Sequence, residues 1–143
     1  MVYYDTFTIL TDKYNKFILI TDQIIDIVKK SGISNGIVIT MSKHTTTGIT
    51  VNESLECLET DLDNFLKRLV PEDFPYNHAR MLRDYGSTAG NPTGHLKSHI
   101  TGNNCIFPIA NGEVIRGGAQ EVYFCEFDGP ASRTISVSII GEW

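Results

Sequence analysis

The sequence predicts an α+β fold: a single compact domain with antiparallel or mixed β-sheets and about three helices. Short β-branched and apolar runs recur along the chain, and turn-like polar segments separate most of them. Only three stretches have the residue pattern of helices. The 143 residues contain no internal repeat and no Pro/Gly-rich linker, so one domain, 1–143, accounts for the whole chain.

Four strands and one helix are predicted in the first 52 residues. The segments 6–10 and 17–20 have the pattern of strands, and the polar residues between them indicate a hairpin. Thr21 is a suitable N-cap for a helix with one apolar stripe, and Gly32 is suited to end it. Two β-branched segments follow and are predicted as strands: 36–42 and 47–52.

The clearest helix begins near Ser54 and ends before Pro71. Its leucine and phenylalanine residues recur every three or four positions, and charged residues lie outside that stripe. The segment 74–89 has weak periodicity, as binding loops inside compact domains often do. A third helix is expected from Asn91 to Gly102, with asparagine as its N-cap and proline in its first position.

The remaining chain is predicted to be mostly β-structure. Strands are expected at 106–109, 121–127 and 134–140. The dipeptide Asn111-Gly112 is a strong hairpin signal. Because short turns join most strands, an antiparallel or mixed sheet is favoured over a doubly wound parallel one.

Composition argues against several classes of partner. Twelve Lys and Arg against seventeen Asp and Glu give a net charge of -5, and there is no basic stripe, so nucleic acid is not expected to bind. No apolar run approaches the ~20 residues that span a bilayer, and the first residues lack a signal-peptide pattern. We therefore expect a cytoplasmic protein without membrane contact. Three cysteines, far apart in sequence, are expected to be reduced and mostly buried.

The four histidines fall in or beside predicted loops and helix starts: His44, His78, His95 and His99. His95 and His99 are four residues apart on the third helix, so both side chains project from nearly the same face. Such a pair can clamp a metal ion, although surface or capping pairs are commoner. Leu96 follows His95 where metalloproteases have a glutamate.

His44 precedes three threonines, and Asn52 and Glu53 lie at the far end of the next predicted strand. A fully extended chain would place His44 and Asn52 roughly 26 Å apart. Either the chain turns near Gly48, or an oligomer brings the two ends together. The simpler alternatives are an exposed β-surface for the threonines and a helix N-terminus for Asn52 and Glu53.

Glu126 is predicted to share a strand face with the apolar Val122 and Phe124. An isolated carboxylate on such a face is costly, so it requires a partner or serves a site. Arg133 can pair with Glu126 or with Asp128, and a ligand-binding role is the alternative.

Taken in order, the polar motifs resemble the YjbQ family, also called the UPF0047 or secondary thiamine-phosphate synthase family. The matching segments cover nearly the whole chain: 44–53, 76–78, 90–97, 118–120 and 126–130. The resemblance implies an α+β domain that assembles as a homotrimer, with its site where subunits meet. It also implies a weak thiamine-phosphate synthase activity, which couples hydroxymethylpyrimidine diphosphate to thiazole phosphate and releases diphosphate.

The resemblance and the residue chemistry together define a candidate site for a small phosphorylated metabolite. The candidate catalytic residues are Glu53, Asn52 and Arg133. The candidate ligand-binding residues are Thr45, Gln120, Glu126 and Asp128. The candidate ligands of a divalent metal, zinc or magnesium, are His44, His78 and His95. Glu53 is assigned as general base or orienting group, and Arg133 as a stabiliser of diphosphate charge. If protonated, the three histidines would instead bind phosphate.

Three positions depart from the family pattern. Ala119 stands where tryptophan is common, and Ala131 replaces the first arginine of a Gly-Pro-Arg-x-Arg motif, so a stacking surface and a cation are missing. His99 stands where a small or apolar residue is usual, which favours the three-histidine set over a His95–His99 clamp. Two other functions stay open: a trimeric module that binds a phosphorylated metabolite or metal without turnover, and a metal-dependent hydrolase.

Overall fold

Antiparallel pairing joins every strand of the described residues, 1–78 and 91–143, into one of two sheets. The structure is a computed structural model. Its elements are β1 (Val2–Leu10), β2 (Lys16–Leu19), α1 (Thr21–Ser31), β3 (Asn35–Ser42), β4 (Thr47–Asn52), α2 (Glu56–Leu69), α3 (Pro92–Thr101), β5 (Asn104–Ala110), β6 (Glu113–Val114), β7 (Glu121–Glu126) and β8 (Ser132–Glu142). The predicted α+β class is confirmed. The predicted binding loop, 74–89, lies outside the described residues beyond His78.

The two sheets divide the strands differently from the sequence-based expectation. The larger sheet has the order β1-β8-β3-β5-β6, and the smaller has the order β2-β7-β4. The predicted hairpin of the first two strands is wrong, because β1 pairs with β8 and β2 pairs with β7. The reason is length: the nine residues of β1 form a full ladder with the long β8, whereas β2 offers only four residues.

The main core is shared by both sheets and α1. From the larger sheet, Ile135, Val137 and Ile139 of β8 are fully buried, and Phe124 of β7 meets them from the smaller sheet. The apolar stripe of α1 closes the same cluster. Full burial of each such side chain contributes about 1.5–3 kcal/mol. The opposite face of β7 packs against α2, with Leu66 in a second, smaller cluster.

The structure confirms the predicted end of α1 and the predicted turn after β5, but not the predicted N-cap of α1. Gly32 ends α1 with a positive φ of 69°, and Asn111 and Gly112 have φ values of 53° and 78° in the turn between β5 and β6, as predicted. Thr21 is not the N-cap of α1, since Ile20 occupies that position. The Thr21 hydroxyl instead accepts the main-chain N–H of Val122, a bond from α1 to the smaller sheet.

Two expectations about exposure need adjustment. Of the three free cysteines, Cys125 is buried, Cys105 is partly buried and Cys57 is exposed on α2, so "mostly buried" was too strong. The apolar stripe of α2 is only partly covered, because Leu66 is the one residue of this helix that is buried. Within the described residues, no helix is both long and apolar enough to cross a membrane.

Candidate active site

The two sheets are joined at one end by a buried ion pair. Thr47, the first residue of β4, pairs with Glu126, the last residue of β7, and Arg133 of β8 reaches this point from the other sheet. Glu126 is 0% exposed and Arg133 is 8% exposed. The guanidinium donates from Nε to Glu126 Oε1 at 2.8 Å and from Nη2 to Oε2 at 2.6 Å. Such a two-bond pair fixes the orientation of both side chains, in addition to the attraction between their opposite charges.

Other donors complete the surroundings of the Glu126 carboxylate. The Thr11 hydroxyl donates to Oε1 at 2.7 Å, and the main-chain N–H of Asp128 donates to Oε2 at 3.0 Å. Burial alone would raise the pKa of Glu126, but the hydrogen bonds from Arg133, Thr11 and Asp128 outweigh it and lower the pKa. Of the two pairs allowed by the sequence, Glu126–Arg133 is the one that forms. Glu126 is therefore committed to Arg133, and the predicted ligand contact by its carboxylate does not fit this geometry.

His44 lies between β3 and β4 and is bound by the main chain of β8. The N–H of Thr134 donates to His44 Nε2 at 2.8 Å. Because a neutral imidazole has one donor and one acceptor nitrogen, the proton of neutral His44 lies on Nδ1. Burial first, and then the nearby charge of Arg133, lower the pKa of His44. His44 is thus a neutral hydrogen-bond donor, and it has no lone pair to offer a metal ion while the bond from Thr134 stands.

The threonines after His44 have separate roles. Thr46 is buried and its hydroxyl accepts a hydrogen bond from Arg133 Nη2 at 3.1 Å. Thr47 is also buried, and its hydroxyl is bonded to that of Ser42. Thr45 is exposed, so it is the one member of the run placed to contact a ligand.

Two neighbouring pockets share His95, which lies on α3. One has a volume of about 450 Å³ and is here named the polar pocket; its lining residues are His44, Thr45, His95, Ser98, His99, Gly102 and Asn103. The other has a volume of about 410 Å³ and is named the mixed pocket; its described lining residues are Tyr76, Asn77, His78, Pro92, His95 and Leu96. Both volumes are within the range of small-molecule sites.

His78 is held beside His95 by a chain of polar side chains. The two imidazole rings meet edge to face, with centroids 5.0 Å apart. His78 Nε2 is 3.0 Å from Asn91 Oδ1, and Asn91 Nδ2 donates to Asp128 Oδ2 at 2.8 Å. Asp128 therefore does not face a ligand alone but acts through Asn91 on His78.

The predicted metal ligands are only partly brought together. His78 and His95 are adjacent, and His95 and His44 line one pocket. Across residues 1–78 and 91–143, however, no group of three His, Cys, Asp or Glu side chains is placed to hold a metal ion. With its Nε2 lone pair engaged, His44 is the member that does not fit. The metal stays a prediction.

Comparison with known proteins places this arrangement in a family. Residues 5–142 match the family model described as UPF0047 protein YjbQ-like. The chain belongs to the UPF0047 family. It is 34% identical to UPF0047 protein YugU of Bacillus subtilis, with 95% of this chain and 98% of that protein covered. The crystal structure of a YbjQ-like protein of unknown function from Sulfolobus solfataricus superposes with a TM-score of 0.90 at 33% identity, covering 99% of each chain.

The remaining candidate residues of this UPF0047 chain lie at the opposite end of the smaller sheet. Asn52 pairs with Glu121, whereas Thr47 pairs with Glu126, and the six residues of β4 span about 17 Å at ~3.4 Å per residue. Gly48 lies inside β4, so a turn at that position is ruled out. If Asn52 and Glu53 share a site with His44, a neighbouring subunit must bring them there; the simpler alternative is that they only begin the next helix, and the oligomer stays a prediction.

Asn52, Glu53 and Gln120 are all exposed at that far end. Gln120 Oε1 accepts the main-chain N–H of Gly117 at 2.7 Å, which turns its side chain back on its own loop. Within one chain, therefore, these three residues do not reach the pockets beside His95.

The sequence did not predict several residues that line the polar and mixed pockets. Ser98 and Asn103 line the polar pocket, and Tyr76 lines the mixed pocket. Asn91 was assigned only as an N-cap. The helical spacing of Ser98 three residues after His95 was available from the sequence, but nothing local showed that this face of α3 meets the loop of His44.

Proposed function

We propose that this UPF0047 chain is a weak thiamine-phosphate synthase that holds hydroxymethylpyrimidine diphosphate and thiazole phosphate across the polar and mixed pockets. The observation that carries the proposal is the pair of adjoining pockets that share His95. A two-substrate reaction requires two neighbouring compartments whose contents can touch. The reaction class is the one that the sequence resemblance implies.

The chemistry of the reaction makes limited demands on the protein. The thiazole nitrogen attacks the pyrimidine methylene carbon with its lone pair, forming a C–N bond. The C–O bond to diphosphate breaks, and its electron pair leaves with the diphosphate. No proton is removed from the nucleophile, so the predicted general-base role of Glu53 is unnecessary. Stabilising the leaving group is the main requirement.

The polar pocket is suited to phosphate oxygens. His44 presents a neutral Nδ1–H, and the hydroxyls of Thr45 and Ser98 are further donors. A divalent ion, which we also propose, would neutralise charge on the diphosphate and would be held largely by its oxygens, as magnesium usually is. In the mixed pocket, the apolar surfaces of Tyr76 and Leu96 suit the heterocyclic ring of a substrate.

We further propose a homotrimer in which the Asn52–Glu53 end of one chain approaches the pockets of the next. The separation of these groups along β4 supports an intermolecular arrangement. The outer face of the larger sheet also supports it, because it exposes apolar side chains: Val2, Tyr4, Ile37, Met41, Ile106 and Ile140. Contiguous apolar surfaces of this kind are typical of interfaces. We also propose a cytoplasmic location, where reduced thiols such as those of the three free cysteines are usual.

One observation favours a second candidate, a module that binds the phosphorylated metabolite without turnover. Arg133, the residue assigned to stabilise the diphosphate charge, donates from both Nε and Nη2 to Glu126, so these donors do not assist a leaving group. Metal-dependent hydrolysis, the third possibility from the sequence, has no specific support among the described residues.

The deciding experiment measures both binding and product. Purified protein is titrated calorimetrically with each substrate, and thiamine phosphate is then assayed by chromatography with and without magnesium. We expect slow product formation, and a loss of at least tenfold in His95→Gln because this side chain borders both pockets. Asn64→Ala, an exposed change on α2, is the control. Binding without product would support the module, whereas no binding of either compound would refute both proposals.

A further inference from the structure

Asn91 occupies the N-cap position of α3 but does not cap the helix. Asparagine is favoured at this position because its side-chain oxygen accepts an N–H from the first turn. Here the Asn91 side chain makes no capping hydrogen bond. Its carboxamide instead lies between the Asp128 carboxylate and the His78 ring, with bonds of 2.8 Å and 3.0 Å. The Asn91 side chain thus bridges Asp128 and His78 instead of capping α3.

The chemistry of the three groups fixes the direction of both hydrogen bonds. An ionised aspartate only accepts hydrogen bonds, so Asn91 must turn its NH₂ group toward Asp128. Its carbonyl oxygen, which also only accepts, then faces His78 Nε2. His78 must therefore donate from Nε2, and in the neutral ring the lone pair lies on Nδ1.

His44 and His78 are consequently held in opposite tautomers. The hydrogen bond from the Thr134 N–H to Nε2 leaves the proton of neutral His44 on Nδ1, whereas the hydrogen bond to Asn91 Oδ1 keeps the proton of neutral His78 on Nε2. The edge-to-face packing of His78 on His95 adds a constraint on the orientation of the ring. Since His44 lines the polar pocket and His78 lines the mixed pocket, the two pockets are bordered by imidazoles of opposite tautomer.

We propose that Asn91 is a positioning residue that, backed by Asp128, keeps His78 Nδ1 as a hydrogen-bond acceptor for an N–H group of the ligand. The ligand class is an amino-substituted heterocycle, seated in the mixed pocket beside Tyr76 and Leu96. This proposal rests on the proposed function, since the amino group of hydroxymethylpyrimidine diphosphate is such a donor. A site that recognises a donor discriminates against an analogue that lacks it, because its own acceptor is then left unpaired.

The first test needs no ligand and so stands apart from the proposed function. Histidine ring nitrogens of ¹⁵N-labelled protein are observed by NMR at about pH 9, where the imidazoles are neutral. We expect His78 as the Nε2–H tautomer and His44 as the Nδ1–H tautomer. In Asn91→Ser, which keeps a good N-cap but is too short to bridge, His78 should become a mixture while His44 is unchanged. His78 with its proton on Nδ1, or no response to Asn91→Ser, would overturn the proposal.

The second test separates positioning from a purely structural role. Hydroxymethylpyrimidine diphosphate and its analogue without the amino group are titrated into wild type, Asn91→Ser and Asp128→Asn. Wild type should prefer the amino compound by about tenfold, the worth of one well-placed hydrogen bond, and both variants should lose most of that preference. A structural role would weaken both compounds alike and leave the preference intact, which would contradict the proposal. If neither compound binds wild type, the proposed function and the ligand class fail, while the tautomer measurement still decides the role of Asn91.

Discussion

Glu126→Gln should be the most destabilising change of a single charged side chain near the pockets. The carboxylate accepts four hydrogen bonds: two from Arg133, one from Thr11 and one from the N–H of Asp128. A glutamine offers one acceptor oxygen, and its NH₂ group must face donors. Arg133 would also remain buried without a counter-charge. Breaking a buried pair in this way costs about 3–5 kcal/mol.

That loss is large against the ~5–15 kcal/mol by which domains are usually stable. At ~2–4 °C per kcal/mol, the melting temperature should fall by roughly 10 °C. The assay is thermal and urea unfolding at one fixed protein concentration, because oligomerisation makes stability depend on concentration. Asp12→Asn is the matched control, since it breaks an ion pair of 3.0 Å with Lys16 whose side chains are 69% and 39% exposed. Exposed pairs of this kind add little to stability because solvent screens them.

The pH dependence provides an independent check on Glu126. Its folded-state pKa lies below the ordinary value of 4.5, so the unfolded chain binds its proton first as the solution is acidified. The stabilising contribution is therefore complete above that ordinary value and disappears as the pH falls through the folded-state value. The difference between wild type and Glu126→Gln should shrink over that acidic interval. If Glu126→Gln costs no more than Asp12→Asn at neutral pH, the ion pair does not hold the two sheets together.

Two more predictions follow from the geometry. The pKa of His44 should lie below its ordinary value of 6.5 in an NMR titration, and a raised pKa would contradict the bond to Nε2. The free energy of unfolding should decline as the pH falls from above 6.5 toward the folded-state pKa, because the unfolded chain binds a proton that the folded chain does not. Ile37→Glu, on the outer face of the larger sheet, should dissociate the proposed trimer in light scattering, whereas Thr60→Glu on exposed α2 should not. A wild-type monomer, or a trimer unchanged by Ile37→Glu, would refute that interface.

Local signals were sufficient where one segment determines its own conformation. Gly32 and the Asn111-Gly112 pair adopt positive φ because few other residues can, and the structure has the predicted helix end and turn at these positions. The apolar face of β7 likewise required a partner for Glu126, and Arg133 was one of the few cations within reach. In each case the residues that determine the feature lie close together in the sequence.

Strand pairing and hydrogen-bond direction could not be obtained in the same way. A hairpin of the first two strands satisfied every local pattern, yet β1 pairs with a strand about 130 residues later in the chain, where the ladder is longer. Asn91 had the ordinary signature of an N-cap, and only Asp128 and His78, brought in from other segments, turned its side chain elsewhere.

The sequence by itself determined the α+β class, most of the helices and strands, the family, and the need for a partner at Glu126. The tertiary structure alone decided that the candidate residues form two groups at opposite ends of β4, and that His44 and His78 are held in opposite tautomers. The physical reason is the range of the interactions. Secondary structure follows from backbone preferences and apolar periodicity within about a dozen residues. The proton on an imidazole depends on one hydrogen bond, and for His44 that bond comes from Thr134, 90 residues along the chain.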